Sequence, residues 1–388
     1  MRREKINKFL DYGLIFAVFT LNSTNNSSVV LFSLLLFKML INFSGLLYNI
    51  YEKCLLLLFL LPCFILSFFF DFDLLQFIRL LNLILILFLF PIKNIFKFED
   101  RRLFIFLMLY IFFLQIALVF NFAFVNSFVD QFYPIENNYW ASFEYNDSAG
   151  INDIVSNRFG GYFYNPNILG VNMYLLFCLY LSLLFKQNKA SKIELLVIFL
   201  ICIISIFLTG SRTSLIALIF TVIYSGRKFI YRYIIPITFS CLILIPIFFY
   251  RNIEIFENAR ILTNIFSLFS DKNDSGYVKF IGFYNYYMNY DYYSLENLVS
   301  LFFGKMSWDF QFDAELGYLL SFFGIFGTIM IFLSIALLFF KSDPNLRFVY
   351  FIFLVSIGGT IIMNFRFSIV ALYLISASYK KISNKCVE

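Results

Sequence analysis

The chain has 388 residues, of which 61% are hydrophobic and 14% charged, with a net charge of +6. Soluble domains carry about 25% charged residues, so this composition excludes an ordinary water-soluble fold. The absence of histidine removes the commonest general base and the commonest metal ligand. The six cysteines (Cys54, Cys63, Cys178, Cys202, Cys241 and Cys386) show no C-x-x-C spacing and lie mostly inside apolar runs, which argues against both zinc and disulfides.

A helix needs roughly 20 apolar residues to cross a hydrocarbon core of about 30 Å. The sequence predicts about twelve such spans, at 9–21, 29–51, 54–70, 74–92, 103–124, 162–185, 193–209, 213–225, 229–249, 316–340, 348–363 and 366–379. The connections between them alternate in charge. "MRREKINK", "PIKNIFKFEDRR", "KQNKASK", "GRKFIYR", "KSDPNLR" and the tail "KKISNK" are basic. The connections between those, including two long ones at about 125–161 and 250–315, are neutral or acidic. Lys and Arg beside membrane helices favour the cytoplasm, so both termini are expected inside and both large loops outside. The first apolar run lacks a cleavage pattern and reads as a retained helix rather than a signal peptide. The expectation is an all-α polytopic membrane protein forming one membrane domain over 1–388, with no soluble domain.

Several stretches do not fit a purely lipid-facing role. "RFGGYFYNPNILG" (158–170) enters the sixth span from outside. Its Asn165-Pro166 resembles a helix start, and Gly160, Gly161 and Gly170 allow close approach of backbone or ligand. A helix N-terminus beside Arg158 suits an anion; a plain helix cap with an interfacial arginine is the alternative. "LTGSRTSLIA" (208–217) sets Arg212 in a short outer turn among Ser211, Thr213 and Ser214, which offer hydroxyls and another helix cap. "MNFRFSIV" (363–370) does the same for Arg366, and Arg251 and Arg260 open the second large loop. Cations are disfavoured outside, so convergence on a diphosphate competes with headgroup contact or surface pairing. Arg79 falls inside the fourth span and is expected to face the bundle interior.

In the second loop, "YVKFIGFYNYYMNYDYY" (277–293) spaces Phe280, Phe283, Tyr284, Tyr287 and Tyr290 as one helical face. An interfacial helix and a sugar-stacking platform using Tyr284 and Tyr287 both fit. "GKMSWDFQFDAELGYLLSFFGIFG" (304–327) then brings Asp309, Asp313 and Glu315 to the tenth span. Without histidine, a carboxylate such as Asp313 or Glu315 is the natural general base toward a hydroxyl. Acidic residues ending an outer loop are the plainer reading. Gly324 and Gly327 favour close helix packing.

Taken in order, "RFGGYFYNPNILG", "TGSRTSLIA" and a large outer loop ending "DAELGYLLSFFGIFG" resemble the O-antigen polymerase and ligase superfamily, over about 155–335. The resemblance implies a C-type, all-helical glycosyltransferase of the bacterial inner membrane. Its donors would be polyprenyl-diphosphate-linked oligosaccharides, used at the periplasmic face with no cofactor and no metal. Residues matching Arg158 and Arg212 would hold the diphosphate, with Arg260, Arg366 and Lys279 as further cations. Lys279 stands where members often carry Arg, which weakens a bidentate role. The ligase branch usually has a histidine near the Asp313–Glu315 position, so its absence points to the polymerase branch. Glu315 or Asp313 would deprotonate the acceptor hydroxyl and the anomeric carbon would invert. Membrane lipids and a chain-length regulator are the implied partners, and no nucleic acid is expected. A lipid-linked oligosaccharide flippase or other transporter, an O-antigen ligase and a purely structural subunit are the competing readings.

Overall fold

The computed structural model describes residues 2–21, 25–42, 96–120, 122–132, 166–187, 192–227, 293–304, 315–357 and 364–379, with isolated positions between 65 and 92. These residues are mostly helical and include no β-strand. They fall in two compact units, one of 1–20, 25–97 and 279–388 and one of 21–24 and 98–278.

The second unit is built on helices α3 (Arg101–Val119), α4 (Ala123–Phe132), α5 (Pro166–Gln187), α6 (Lys192–Thr209) and α7 (Arg212–Ser225). Helix α5 is its centre, buried on every side from Leu169 to Leu184. Its partners fix directions. Tyr180 meets Glu194, Phe177 meets Phe199, the Met173 carbonyl accepts from Cys202, and Gly170 lies against Thr209, so α5 and α6 are antiparallel. Arg101 pairs with Glu194 and Gln115 with Ser205, so α3 and α6 run parallel. This is the alternation that the charge pattern requires of spans five to seven. Arg101 and Glu194 come from two connections that are both expected on the cytoplasmic side.

In the first unit α1 (Arg2–Thr20) and α2 (Asn25–Ile41) form an antiparallel pair. Asn7 and Asn42 exchange amide hydrogen bonds of 2.8 and 2.9 Å, and one turn on Lys38 pairs with Asp11. Helices α8 (Leu295–Phe303), α9 (Glu315–Lys341) and α10 (Phe365–Ser378) complete it, with a 3₁₀ helix at Arg347–Ile357. The ends of α9 and α10 are knotted by hydroxyls. Ser342 Oγ meets Tyr350 OH at 2.6 Å and Ser378 Oγ at 3.1 Å. These two ends come from the connection "KSDPNLR" and from the segment before the basic tail.

Three helices among the described residues are long and apolar enough to cross a membrane: Phe98–Val119, Asn167–Lys186 and Leu316–Lys341. The exposed faces of the first and third are largely apolar, whereas the second is enclosed by other helices. On α9, Phe326, Ile329, Phe332, Leu333, Leu337 and Phe340 are all exposed along one stripe. In water such a stripe would be an aggregation surface; against lipid tails it carries no penalty.

The structure corrects several expected boundaries. Helix α4 occupies 123–132, across the expected start of the first large loop near 125. Its Asn, Ser, Asp and Gln lower the hydropathy, yet Val125 and Val129 are buried at an i, i+4 spacing that marks a helix face. The second loop contains α8 just before its end. The eleventh span, expected at 348–363, is a 3₁₀ helix over Arg347–Ile357. At about 2.0 Å per residue a 3₁₀ run reaches farther than an α-helix of equal length. The tenth span begins where expected but is broken at Gly324. Span 229–249, and all of span 54–70 except Ile65, lie outside the described residues.

Candidate functional site

Two of the sequence islands meet in the second unit. A Cβ on Gly170 would stand 2.7 Å from Ser211 Cβ and 3.0 Å from Thr209 Oγ1, so only glycine lets α5 close onto the turn between α6 and α7. That turn is tightly knit. Thr209 Oγ1 donates to Ile206 O at 2.7 Å and accepts from Ser211 N at 3.2 Å. Gly210 takes φ 61°, which favours glycine. Ser211 Oγ donates to Ser214 Oγ at 2.9 Å, so it does not cap the helix that it precedes. Of the expected hydroxyls, those of Ser211 and Ser214 are therefore committed to the turn. Two helix N-termini, α5 starting at Pro166 and α7 starting at Arg212, are brought to one end of the bundle.

Arg212 is the first residue of α7 and half-buried. Arg366 is the second residue of α10 and 3% exposed, with its backbone N–H bonded to the Asn364 side chain. Both arginines occupy first turns, where the helix dipole disfavours a cation by about 0.3–1 kcal/mol. Helix stability therefore does not explain their placement. Arg366, expected at the turn where the last span begins, is the second residue of α10.

The carboxylate island belongs to the first unit. Gly304 (φ 85°, ψ 159°) and Gly324 (φ 61°, ψ −171°) hold backbone conformations open essentially to glycine alone. A Cβ on Gly304 would strike the Phe322 carbonyl, and one on Gly324 would strike the Phe302 carbonyl. The end of α8 and the break in α9 thus cross backbone to backbone, each glycine making room for the other strand. Glu315, the first residue of α9, precedes this crossing on the same helix. Gly324 packs as expected, whereas Gly327 meets only the Phe323 side chain of its own helix.

Arg158, Arg260, Lys279, Tyr284, Tyr287, Asp309 and Asp313 lie outside the described residues. Arg212 belongs to the second unit, and Glu315 and Arg366 belong to the first.

The sequence reading missed a buried polar cluster. Lys38 pairs with Asp11, Tyr373 OH donates to Asp11 Oδ1 at 2.6 Å, and the Lys38 ammonium lies 5.7 Å from the Tyr373 ring centre. All three are at most 3% exposed. Phe96 covers the cluster, with its ring against Tyr12 and Tyr373. The signal was present: one acid in span 9–21 and one lysine in span 29–51, each alone among apolar residues, form the pairing expected of charges at membrane depth. Asn172 on α5 was missed in the same way. Among the described residues no group of histidine, cysteine or acidic side chains could hold a metal. No family model, curated protein or solved structure matches the chain.

Proposed function

We propose that the protein is a membrane glycosyltransferase that polymerises polyprenyl-diphosphate-linked oligosaccharide repeat units into a surface polysaccharide at the periplasmic face of the bacterial inner membrane. The observation that carries this reading is the closure of Gly170 onto the Thr209–Ser211 turn. Two stretches 40 residues apart, picked out in the sequence for arginine, glycine and helix-start chemistry, meet at one end of one unit. The N-terminal ends of two helices, where the backbone dipole favours negative charge, and the Arg212 guanidinium suit a diphosphate, whose charge grows as it leaves. The twelve-span topology, with both large loops outside and both termini inside, belongs to the same proposal.

In this mechanism Arg158 and Arg212, with Arg366, Arg260 and Lys279, neutralise the leaving diphosphate. Glu315 or Asp313 takes the proton from the acceptor hydroxyl, and attack from the opposite face inverts the anomeric carbon. Tyr284 and Tyr287 stack on the glycan. Arg212→Ala is expected to abolish polymerisation while membrane levels hold. Arg212→Lys should rescue poorly, because lysine lacks the planar fork.

Two observations favour the transporter reading: α9 is interrupted at Gly324, and a charged pair is buried within α1 and α2. Broken helices and midplane charges are features of transporters. Glycan analysis of a deletion strain separates the readings. Loss of the polysaccharide ladder with a single repeat unit still attached supports the polymerase. Loss of every unit overturns it in favour of a flippase or a ligase.

A further inference from the structure

We propose that Asn172 is a binding residue for a glycosyl group, contacting it through both the donor and the acceptor of its amide. This rests on the polymerase reading and adds to it a contact that no motif in the sequence indicated.

Asn172 is 1% exposed, and neither its Nδ2 nor its Oδ1 has a hydrogen-bond partner among the described residues. Its neighbours on the same helix behave differently. Tyr174 OH meets Thr221 Oγ1 at 2.9 Å, Tyr180 OH meets Glu194 Oε1 at 3.0 Å, and Ser182 Oγ meets Leu179 O at 2.7 Å. An orphaned buried amide is costly, and more so in apolar surroundings. Leucine has the same branched shape without that cost, and it is the residue used at the buried positions 169, 175, 176 and 179. An amide kept where leucine would serve calls for a partner that comes and goes.

Placement narrows what the partner is. Asn172 lies six residues beyond Pro166, about 9 Å along the axis, and about 200° around the helix from Gly170. It therefore faces away from the Thr209–Ser211 turn, yet lies near the same end of α5. A ligand held by the helix N-termini at that end would have its next group within reach of the other side of α5. The amide is neutral and offers one donor group beside one acceptor. That combination suits a vicinal hydroxyl pair or an acetamido group on a sugar, and does not suit a cation or a bare phosphate.

The test uses the full-length protein in lipid nanodiscs with two probes, a short-chain polyprenyl diphosphate and the same lipid carrying one N-acetylhexosamine. Asn172→Leu should weaken the sugar-bearing probe by about tenfold and leave the bare probe unchanged. The variant should unfold at the same temperature as wild type or higher, and Asn172→Ala covers the case in which leucine overpacks. Equal binding of the sugar-bearing probe by wild type and Asn172→Leu overturns the inference and leaves the polymerase reading intact. So does equal binding of the two probes by wild type. A lower unfolding temperature in both variants also overturns it, because the amide would then belong to the protein's own packing. Wild type that binds neither probe overturns the polymerase reading itself, and the inference with it.

Discussion

In the unit of α1, α2, α8, α9 and α10, a complete ion pair is buried between helices and two glycines cross in conformations no other residue adopts. In the unit of α3 to α7 the buried interhelical contacts among the described residues are neutral: Gln115 with Ser205, Tyr174 with Thr221, Cys202 with the Met173 carbonyl. Its close glycine contact, at Gly170, sits in regular helix, and its positive-φ glycine, Gly210, lies in a turn. The contrast teaches where tolerance ends. A buried ion pair adds little net stability as a pair, yet half of one is severely destabilising. A neutral pair loses about one hydrogen bond. Likewise, a glycine required for space alone yields if a neighbour shifts, whereas one required for space and dihedral angle does not.

The largest effect is expected at the crossing. Gly324→Ala meets backbone strain of about 1–3 kcal/mol and overpacking of a further 1–3 kcal/mol or so. Set against native stabilities of about 5–15 kcal/mol, this should leave little folded protein in the membrane, measured as yield and unfolding temperature. Gly304→Ala should match it, because each glycine faces the other's chain. Wild-type stability in both variants would mean that the two strands do not cross as described.

Next comes the ion pair. Lys38→Met leaves Asp11 buried and charged and should cost about 3–5 kcal/mol. Adding Asp11→Asn removes the charge and keeps an acceptor for Tyr373, so the double variant should regain most of the loss. Chemical denaturation of wild type and the two variants in detergent gives the comparison. A double variant no better than Lys38→Met would show that the charge is not what the single substitution exposes.

The helical, membrane-embedded character was legible because apolar length and loop charge are properties of long windows, and these average over local exceptions. Helix starts were legible too: Pro166 opens α5, and Ser211 stands at the cap position of α7. What escaped were features that depend on a partner. A lone Lys38 or Asn172 is too small a signal inside an apolar window, and only the packed helices show that one finds a counter-charge and the other no hydrogen bond. The break at Gly324 escaped for a related reason. A glycine within an apolar run reads equally well as close packing or as a bend, and the choice is made by the α8 backbone lying against it. Helix α4 was hidden by its own amphipathicity, since its polar face mimics a loop.

Gly170→Ala sharpens the contrast from the neutral side. The added methyl group meets Ser211 Cβ at 2.7 Å rather than a backbone carbonyl, so α5 or the turn must shift to admit it, but the dihedral angles at position 170 need not change. The expected cost is about 1–3 kcal/mol, clearly below that of Gly324→Ala. Polymerisation should fall more than stability does, because the same shift displaces the start of α7 and with it Arg212. A variant that loses stability as far as Gly324→Ala does would erase the difference between the two kinds of glycine.

The smallest effect is expected at Tyr174. Tyr174→Phe deletes one hydroxyl and leaves the ring in place, so packing in α5 is kept. Thr221 Oγ1 loses its 2.9 Å partner, but a threonine within a helix can turn its hydroxyl onto a carbonyl of its own preceding turn. The loss should therefore stay near 1 kcal/mol, the net worth of a single neutral hydrogen bond. Gln115→Leu makes the harder case in the same unit. It removes both the acceptor of Ser205 Oγ at 2.6 Å and the donor to Ser205 O at 3.2 Å, and it should cost more than Tyr174→Phe. Both variants should retain polymerisation, since neither side chain lies at the Gly170–Ser211 contact. If Tyr174→Phe keeps its unfolding temperature but loses activity, the hydroxyl takes part in more than packing. Asn172, two residues away on the same helix, would then be the first side chain to test with it.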